Sequence, residues 1–180
     1  MHMKEVTDMT ANLVNDTLKL DALKSFQKKQ PSAKEKHIIG YATGVFDLFH
    51  VGHLNVLKVA KENCDFLIAG VSVDSLVEDY KGKKPVIPFE ERIEIVRAIK
   101  YVDIAVPQIN MDKMEAWAKY RFNKIFLGEE WRGTEIWDKW ERVFRPKEVE
   151  ICYVAKVFHV TSSSIAAIIV ERFDSLNGRK

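Results

Sequence analysis

Residues 66–73, Phe-Leu-Ile-Ala-Gly-Val-Ser-Val, form a run that is apolar almost throughout and does not alternate. A strand wetted on one face alternates apolar and polar side chains. An unbroken run belongs to a strand covered on both faces, as in a parallel sheet flanked by helices. The surrounding chain agrees. Ile38 to Ala42 reads as a first strand, and Leu54, Val56, Leu57 and Ala60 as the buried side of the helix after it. Pro88 opens a helix in which Phe89, Ile93, Val96 and Ile99 recur at helical spacing. Strands are then expected at 102–106, 124–127 and 149–154. Helices are expected at 111–120, at 134–144 with Thr134 as cap, and at 163–173. Alternating β and α elements imply an α/β fold with a doubly wound, parallel, five-stranded sheet. Ligands of such sheets bind beyond the carboxyl ends of the strands.

Residues 1–36 differ. Val6, Met9, Leu13, Leu20, Leu23 and Phe26 have loosely helical spacing, and 27–36 is a polar stretch with Pro31. We read 1–36 as a helical extension and linker, and 37–180 as the main domain. An apolar face on the extension needs a cover, either the domain or a second copy. The charge balance, 28 basic against 26 acidic residues, leaves no electrostatic footprint for nucleic acid. The longest apolar run is far short of the roughly 18 residues that span a bilayer, and no signal-peptide core opens the chain. Cys64 and Cys152 stand alone without a CxxC pair, which fits a reducing compartment. These features predict a cytoplasmic protein with neither nucleic-acid nor membrane partners.

The chemistry concentrates where the first strand meets its helix, in Gly44-Val45-Phe46-Asp47-Leu48-Phe49-His50-Val51-Gly52-His53. Two histidines at i and i+3 can face one way. A helix start offers free backbone N–H groups and a positive dipole end, so it attracts phosphate. Gly52 has no side chain to hold a ligand away. A metal site would need further His, Cys or Asp ligands, and none cluster here. There is no G-x-G-x-x-G and no G-x-x-x-x-G-K-[ST], so dinucleotide and P-loop chemistry are not indicated.

H-x-G-H after G-x-F-D resembles the signature of the nucleotidyltransferase superfamily, which includes cytidylyltransferases and pantetheine-phosphate adenylyltransferases. Lys81-Gly82-Lys83-Lys84, then Glu91-Arg92, resembles the lysine loop and Glu-Arg pair of cytidylyltransferases. In that family a lysine of the loop reaches the triphosphate; both Lys81 and Lys83 match, and Lys81 is favoured. Gly128-Glu129-Glu130-Trp131-Arg132-Gly133 is similar to the G-[DE]-[DE]-W-x-G element of glycerol-3-phosphate cytidylyltransferases. Thr161-Ser162-Ser163-Ser164 matches the hydroxyls of R-T-x-G-x-S-T-[TS], in which Ser162 or Ser163 could bind phosphate or cap the helix. The arginine and glycine of that motif are absent from Val157-Phe158-His159-Val160, leaving Lys156 or His159 to replace the arginine's charge. Trp117, Trp131, Trp137 and Trp140 cluster in sequence, but Trp137 and Trp140 at i, i+3 read as core packing and not as a choline cage.

The resemblance implies a Rossmann-like nucleotidyltransferase fold and transfer of CMP from CTP to a small polyol phosphate, above all glycerol 3-phosphate. The products would be CDP-glycerol and pyrophosphate. Phosphocholine and ribitol 5-phosphate are alternative acceptors. An adenylyltransferase acting on a flavin or pantetheine phosphate is an alternative enzyme, and a weakly catalytic nucleotide-binding protein an alternative class. His50, His53 and Lys81 would carry catalysis. Gly44, Val45, Phe46, Asp47, Gly52, Lys83, Arg92, Gly128, Glu129, Trp131, Thr161, Ser162 and Ser163 would surround the nucleotide. Mg²⁺ would be held mainly by the triphosphate, with Asp47 or Glu129 as a protein ligand. The family commonly forms dimers, so a homodimer is expected.

Overall fold

A computed structural model describes residues 20–28 and 37–178. Five strands, β1 (Ile39–Gly44), β2 (Phe66–Ser72), β3 (Ile104–Gln108), β4 (Lys124–Gly128) and β5 (Glu150–Val154), form one sheet in the order β3-β2-β1-β4-β5. Every pairing is parallel. The expected doubly wound sheet is therefore present. Its order reverses between β1 and β4, the switch point where a crevice opens beyond the carboxyl ends.

The strands are buried on both faces. One residue row runs Ala105, Ala69, Ala42, Phe126 across β3, β2, β1 and β4. The adjacent row, Ile104, Ile68, Tyr41 and Ile125, points to the opposite side. The alanine face packs with Leu57 and Ala60 of α2 (Val51–Glu62), and with Ile93 and Val96 of α4 (Phe89–Arg97). The other face packs with Tyr120 of α5 (Lys113–Tyr120), and with Trp137, Trp140 and Phe144 of α6 (Glu135–Phe144). Small side chains on the first face let two helices sit close; aromatic ones fill the second. Tyr41 lies flat against Phe122, ring centroids 5.0 Å apart. Gly70 must lack a side chain because a Cβ there would collide with the Tyr41 hydroxyl. Trp137 and Trp140 are core residues, as expected.

A helical stretch over residues 20–28, α1, inserts Leu23 into the aromatic face. Its Phe26 packs on Phe66, and Gln27 Nε2 donates to the Tyr120 carbonyl at 2.9 Å. Val6, Met9 and Leu13, and the linker over 29–36, lie outside the described residues.

Four local details depart from the sequence pattern. Asp74–Lys81 is a helix, α3, over a segment to which the sequence pattern assigned no element, apart from Lys81 at the start of the lysine loop. It buries only Leu76 and Val77, too few positions to reveal a helical period, and ends where Gly82 turns left-handed at φ 65°. The third strand starts two residues late and includes Pro107, which an edge strand tolerates. Thr134 precedes α6 but makes no side-chain cap; its hydroxyl donates to the Trp131 carbonyl at 2.8 Å. The last helix, α7 (Ser162–Leu176), is capped by Thr161 and not by a serine. No helix among the described residues is long and apolar enough to cross a membrane.

Candidate active site

His50 is the N-cap of α2. Its Nδ1 accepts the Gly52 N–H at 3.1 Å, while His50's own N–H donates to His53 Nδ1 at 3.4 Å. This reciprocal pair is a capping box built from two imidazoles. It stacks the rings at 3.9 Å. Because both Nδ1 atoms accept protons from the backbone, the neutral rings carry theirs on Nε2. Two Nε2–H donors are thus fixed on one side of the helix start. Gly52 acts differently from the expectation. A Cβ there would sit 2.8 Å from His50 Cε1, so the glycine makes room for the imidazole that caps the helix.

Burial, reinforced by His50 and partly offset by Asp47, pushes His53 down to about 3. His50 is also lowered, by burial first and by the Lys156 charge second. At pH 7 the unliganded pair is neutral, and serves as oriented hydrogen-bond donors with no charge of its own.

The preceding turn is strained. Phe46 (φ 56°) and Leu48 (φ 46°) are left-handed without being glycine, at a cost on the order of 1–3 kcal/mol each. Asp47 holds the turn in place. Its Oδ1 accepts the Leu48 and Ile87 N–H groups at 3.0 and 2.9 Å, and its Oδ2 the Val86 N–H at 2.9 Å. Its carbonyl accepts the Ser162 hydroxyl at 2.6 Å. Asp47 thereby ties the histidine turn to the segment after the lysines and to the start of α7.

These segments enclose a cavity of about 300 Å³. Gly44, Val45, Phe46, Asp47, His53, Lys81, Lys83, Gly128, Trp131, Ser162 and Ser163, all singled out from sequence, line it. Lys81 is the last residue of α3, with its proton affinity lowered by burial and then by Lys83. Of the α7 hydroxyls, Ser162 is committed to Asp47 and Thr161 to the Ser164 N–H, leaving Ser163 to face the cavity.

Five of the residues singled out from sequence do not line the cavity: His50, Gly52 and Thr161 build the two helix starts beside it, and Arg92 and Glu129 are placed elsewhere. Arg92 is wholly buried and off the cavity. It donates to the carbonyls of Ile87, Val45 and Ser72 and pairs with Asp74. It braces four segments and reaches a ligand through none of its bonded donors. Glu129 pairs with Arg132 at 2.6 Å on the surface, and Arg132 in turn lies over the Tyr153 ring. Glu130, the next acid, lines the cavity instead, because a 3-10 turn over Glu129–Trp131 rotates the two acids apart.

Sequence reasoning missed the far end of the cavity. Thr43, Gln108, Met111 and Lys113 line it, beside Val77, Tyr80 and Trp137. Thr43 donates to Gln108, whose Nε2 donates to the Asn110 carbonyl at 3.1 Å. Lys113 is 2% exposed. Its ammonium has no hydrogen bond or ion pair among the described residues, and burial pushes it down to about 8 against the pull of Asp112. The side chain is buried but lines the cavity, so a counter-charge for it would lie there. The available signal was Asp112, a helix N-cap accepting from Met114 and Glu115, which puts Lys113 on the first turn of α5.

Comparisons with known proteins agree with this geometry. The family model described as cytidylyltransferase-like matches residues 41–170. The FAD synthase of Thermococcus kodakarensis is 35% identical over 152 residues, 78% of this chain and 97% of that protein. The FAD synthase of Pyrococcus abyssi is 43% identical over 86 residues, a match that spans 47% of this chain and 58% of that protein. The crystal structure of a lipopolysaccharide core biosynthesis protein from Thermoplasma volcanium superposes with a TM-score of 0.58 at 26% identity, covering 69% of this chain and all of that one. With its histidine turn, lysine helix and serine-started α7 around one cavity, the chain belongs to the cytidylyltransferase-like family of nucleotidyltransferases.

Proposed function

We propose that this protein transfers AMP from ATP to flavin mononucleotide, giving FAD and pyrophosphate. The observation that carries this reading is one cavity with two unlike ends, a phosphate-binding end and an apolar, aromatic end with one buried cation. The FAD synthase relatives support the choice of nucleotide and acceptor, and favour the adenylyltransferase alternative over CDP-glycerol formation. The polyol reading relied on polar groups around Glu130, Trp131 and Arg132. Arg132 is turned away toward Glu129 and Tyr153, so of the two charged groups only Glu130 remains at the cavity. Val77, Tyr80, Met111, Trp131 and Trp137 suit a flat, largely apolar ring system better than a polyol.

A phosphate oxygen of the acceptor attacks the α-phosphorus, and the bond to the bridging oxygen of the β-phosphate breaks. The acceptor is already anionic at pH 7, so no general base is needed, and positioning with charge stabilisation suffices. His50 and His53 donate from Nε2 to the phosphate in transfer. Lys81 and Lys83 hold the triphosphate, and Ser163 the departing phosphates. Lys113 faces the acceptor from the other end of the cavity. Mg²⁺ would be held mainly by the nucleotide's phosphates and would supply charge neutralisation there. Among the described residues no three metal-ligating side chains cluster. Asp47 already accepts three N–H groups, and Glu129 is paired. A cation chelated by phosphates needs few protein ligands.

The test is product formation with Mg²⁺ from ATP plus flavin mononucleotide, against CTP plus glycerol 3-phosphate. FAD with the first pair and none with the second supports the reading. CDP-glycerol as the main product overturns it and restores the cytidylyltransferase assignment. We also propose a homodimer, because α7 exposes Ile168, Ile169, Val170, Phe173 and Leu176. A monomer mass by light scattering at micromolar concentration excludes it.

A further inference from the structure

Lys113 and Gln108 line two cavities, the one of about 300 Å³ already described and a second of about 200 Å³ walled by Tyr41, Pro107 and Ala116. Lys113 therefore stands where the two meet. Four carboxylates line these cavities, and none pairs with Lys113. Asp47 already accepts three N–H groups. Asp112 accepts the Met114 and Glu115 N–H groups, and Glu115 accepts from Asn110 Nδ2 at 2.6 Å. Glu130 folds back over Gly128, where a Cβ would collide with its carboxylate.

The neutral polar neighbours complete one another. Thr43 donates to Gln108, and Gln108 Nε2 donates to the Asn110 carbonyl at 3.1 Å. Burial lowers Lys113 only to about 8, so it keeps its proton at pH 7. An ammonium with three N–H donors is thus presented among Val77, Met111 and Trp137, with its counter-charge still to come. The attacking phosphate of an acceptor belongs beside His53 and Lys81, at the other end of the cavity. Lys113 meets what the acceptor carries beyond its phosphate.

We propose that Lys113 selects the acceptor by its ring and not by its phosphate, pairing with the N1–C2 carbonyl edge of the flavin and binding the reduced, anionic ring in preference to the oxidised one. This rests on the flavin mononucleotide reading above. The isoalloxazine is apolar over most of its area, and its polar atoms lie along the pyrimidine edge. The oxidised ring is neutral and offers carbonyl oxygens there. The reduced ring, once it has lost the N1 proton, spreads a negative charge over N1 and the C2 oxygen. A cation beside this edge stabilises that charge, and the pairing is strong because both partners are withdrawn from water. No bond is made or broken in this recognition.

The probes are flavin mononucleotide and riboflavin, each oxidised or dithionite-reduced, titrated anaerobically into the full chain without ATP. The parent should bind the reduced form roughly 10-fold or more tighter than the oxidised one, as a charge-assisted contact gives. K113M should weaken both forms, the reduced one more, and bring the ratio to within about 3-fold. The change should be the same with riboflavin, which has the ring and no phosphate. K119M removes an exposed charge from the same helix, where Lys119 lies over the Tyr120 ring, and should keep the parent ratio. Equal affinity of the parent for the two redox forms overturns the inference and leaves the acceptor assignment standing; this arm needs no variant. An unchanged ratio in K113M, or a loss seen with flavin mononucleotide and not with riboflavin, also overturns it. A protein that binds flavin in neither form overturns the acceptor assignment and the inference with it.

Discussion

The two ends of the cavity are built in opposite ways. The phosphate end is local: His50, Gly52 and His53 cap a single helix, and Asp47 in the same turn anchors it. Its imidazole Nδ1 atoms and the Asp47 carboxylate are satisfied internally, and burial holds the imidazoles neutral. The acceptor end is assembled from Thr43, Gln108, Lys113, Trp131 and Trp137, spread over β1, β3, α5, the 3-10 turn and α6. Its lysine has no hydrogen bond or ion pair among the described residues. Chemistry that every member of a family must perform can rest on one rigid turn. Recognition of a particular acceptor rests on where separate elements meet, and there an unsatisfied group is left for the ligand to complete.

Substitutions can break that contrast. The largest effect should come from Arg92, which neither end uses directly. Arg92→Met removes a buried guanidinium from three carbonyls and Asp74. Stability should fall by about 3 kcal/mol or more, read by chemical denaturation. A loss below about 1 kcal/mol would mean that the bracing is dispensable.

His53→Ala tests the phosphate end. Turnover should drop at least ~100-fold, with nucleotide affinity little changed. Weak binding with normal turnover would make the pair an anchor only. Stability carries a second signature. His53 binds its proton in the unfolded chain near 6.5 and in the folded protein only near 3. The unfolded state therefore holds more protons between these values, and the native state loses stability as pH falls through that window. A variant lacking the imidazole should show a flatter acid limb.

Lys113→Met tests the acceptor end, and should separate affinity from stability. The acceptor KM should rise roughly 10-fold or more with ATP affinity unchanged. The unliganded fold should become more stable by about 1–3 kcal/mol at pH 7, since a buried unpaired group is replaced by an apolar one of similar length. Lys113 titrates near 8 folded and about 10.4 unfolded. The burial penalty is complete below pH 8 and fades as pH rises through that window. The thermal advantage of the variant should shrink by pH 10. An advantage that is constant with pH would locate the effect in packing and not in charge.

The smallest effect is expected at Glu129. Glu129→Gln disturbs only an exposed pair with Arg132, so stability should stay within about 1 kcal/mol and turnover should be unaffected. A large loss of turnover would return Glu129 to the site that sequence reasoning assigned it.

Much of the sheet was legible because a strand buried on both faces writes its burial directly into composition, as Phe66–Ser72 does. The histidine turn was legible because its parts are consecutive. Asp74–Lys81 was not, because a short helix with two buried residues carries no readable period. Glu129 and Glu130 exchanged roles because one 3-10 turn decides which side chain faces inward. Trp137 reads as core from its spacing and is core, yet it also walls the cavity. A linear pattern records that a face is apolar, not whether a void lies beside it.

The amino-acid order by itself determined the parallel α/β layout, the histidine turn, and the hydroxyl-rich start of α7. Each of these depends on neighbours within about ten residues and on periodicity, which local sterics and hydrogen bonding enforce. Only the tertiary structure decided that Arg92 is a brace, that the Gly52 Cα is crowded by His50, and that Lys113 lines the cavity with no partner among the described residues. Those outcomes depend on which carbonyls, rings and voids from distant segments meet a side chain. Burial energetics are set by that meeting, and no spacing along the chain encodes it.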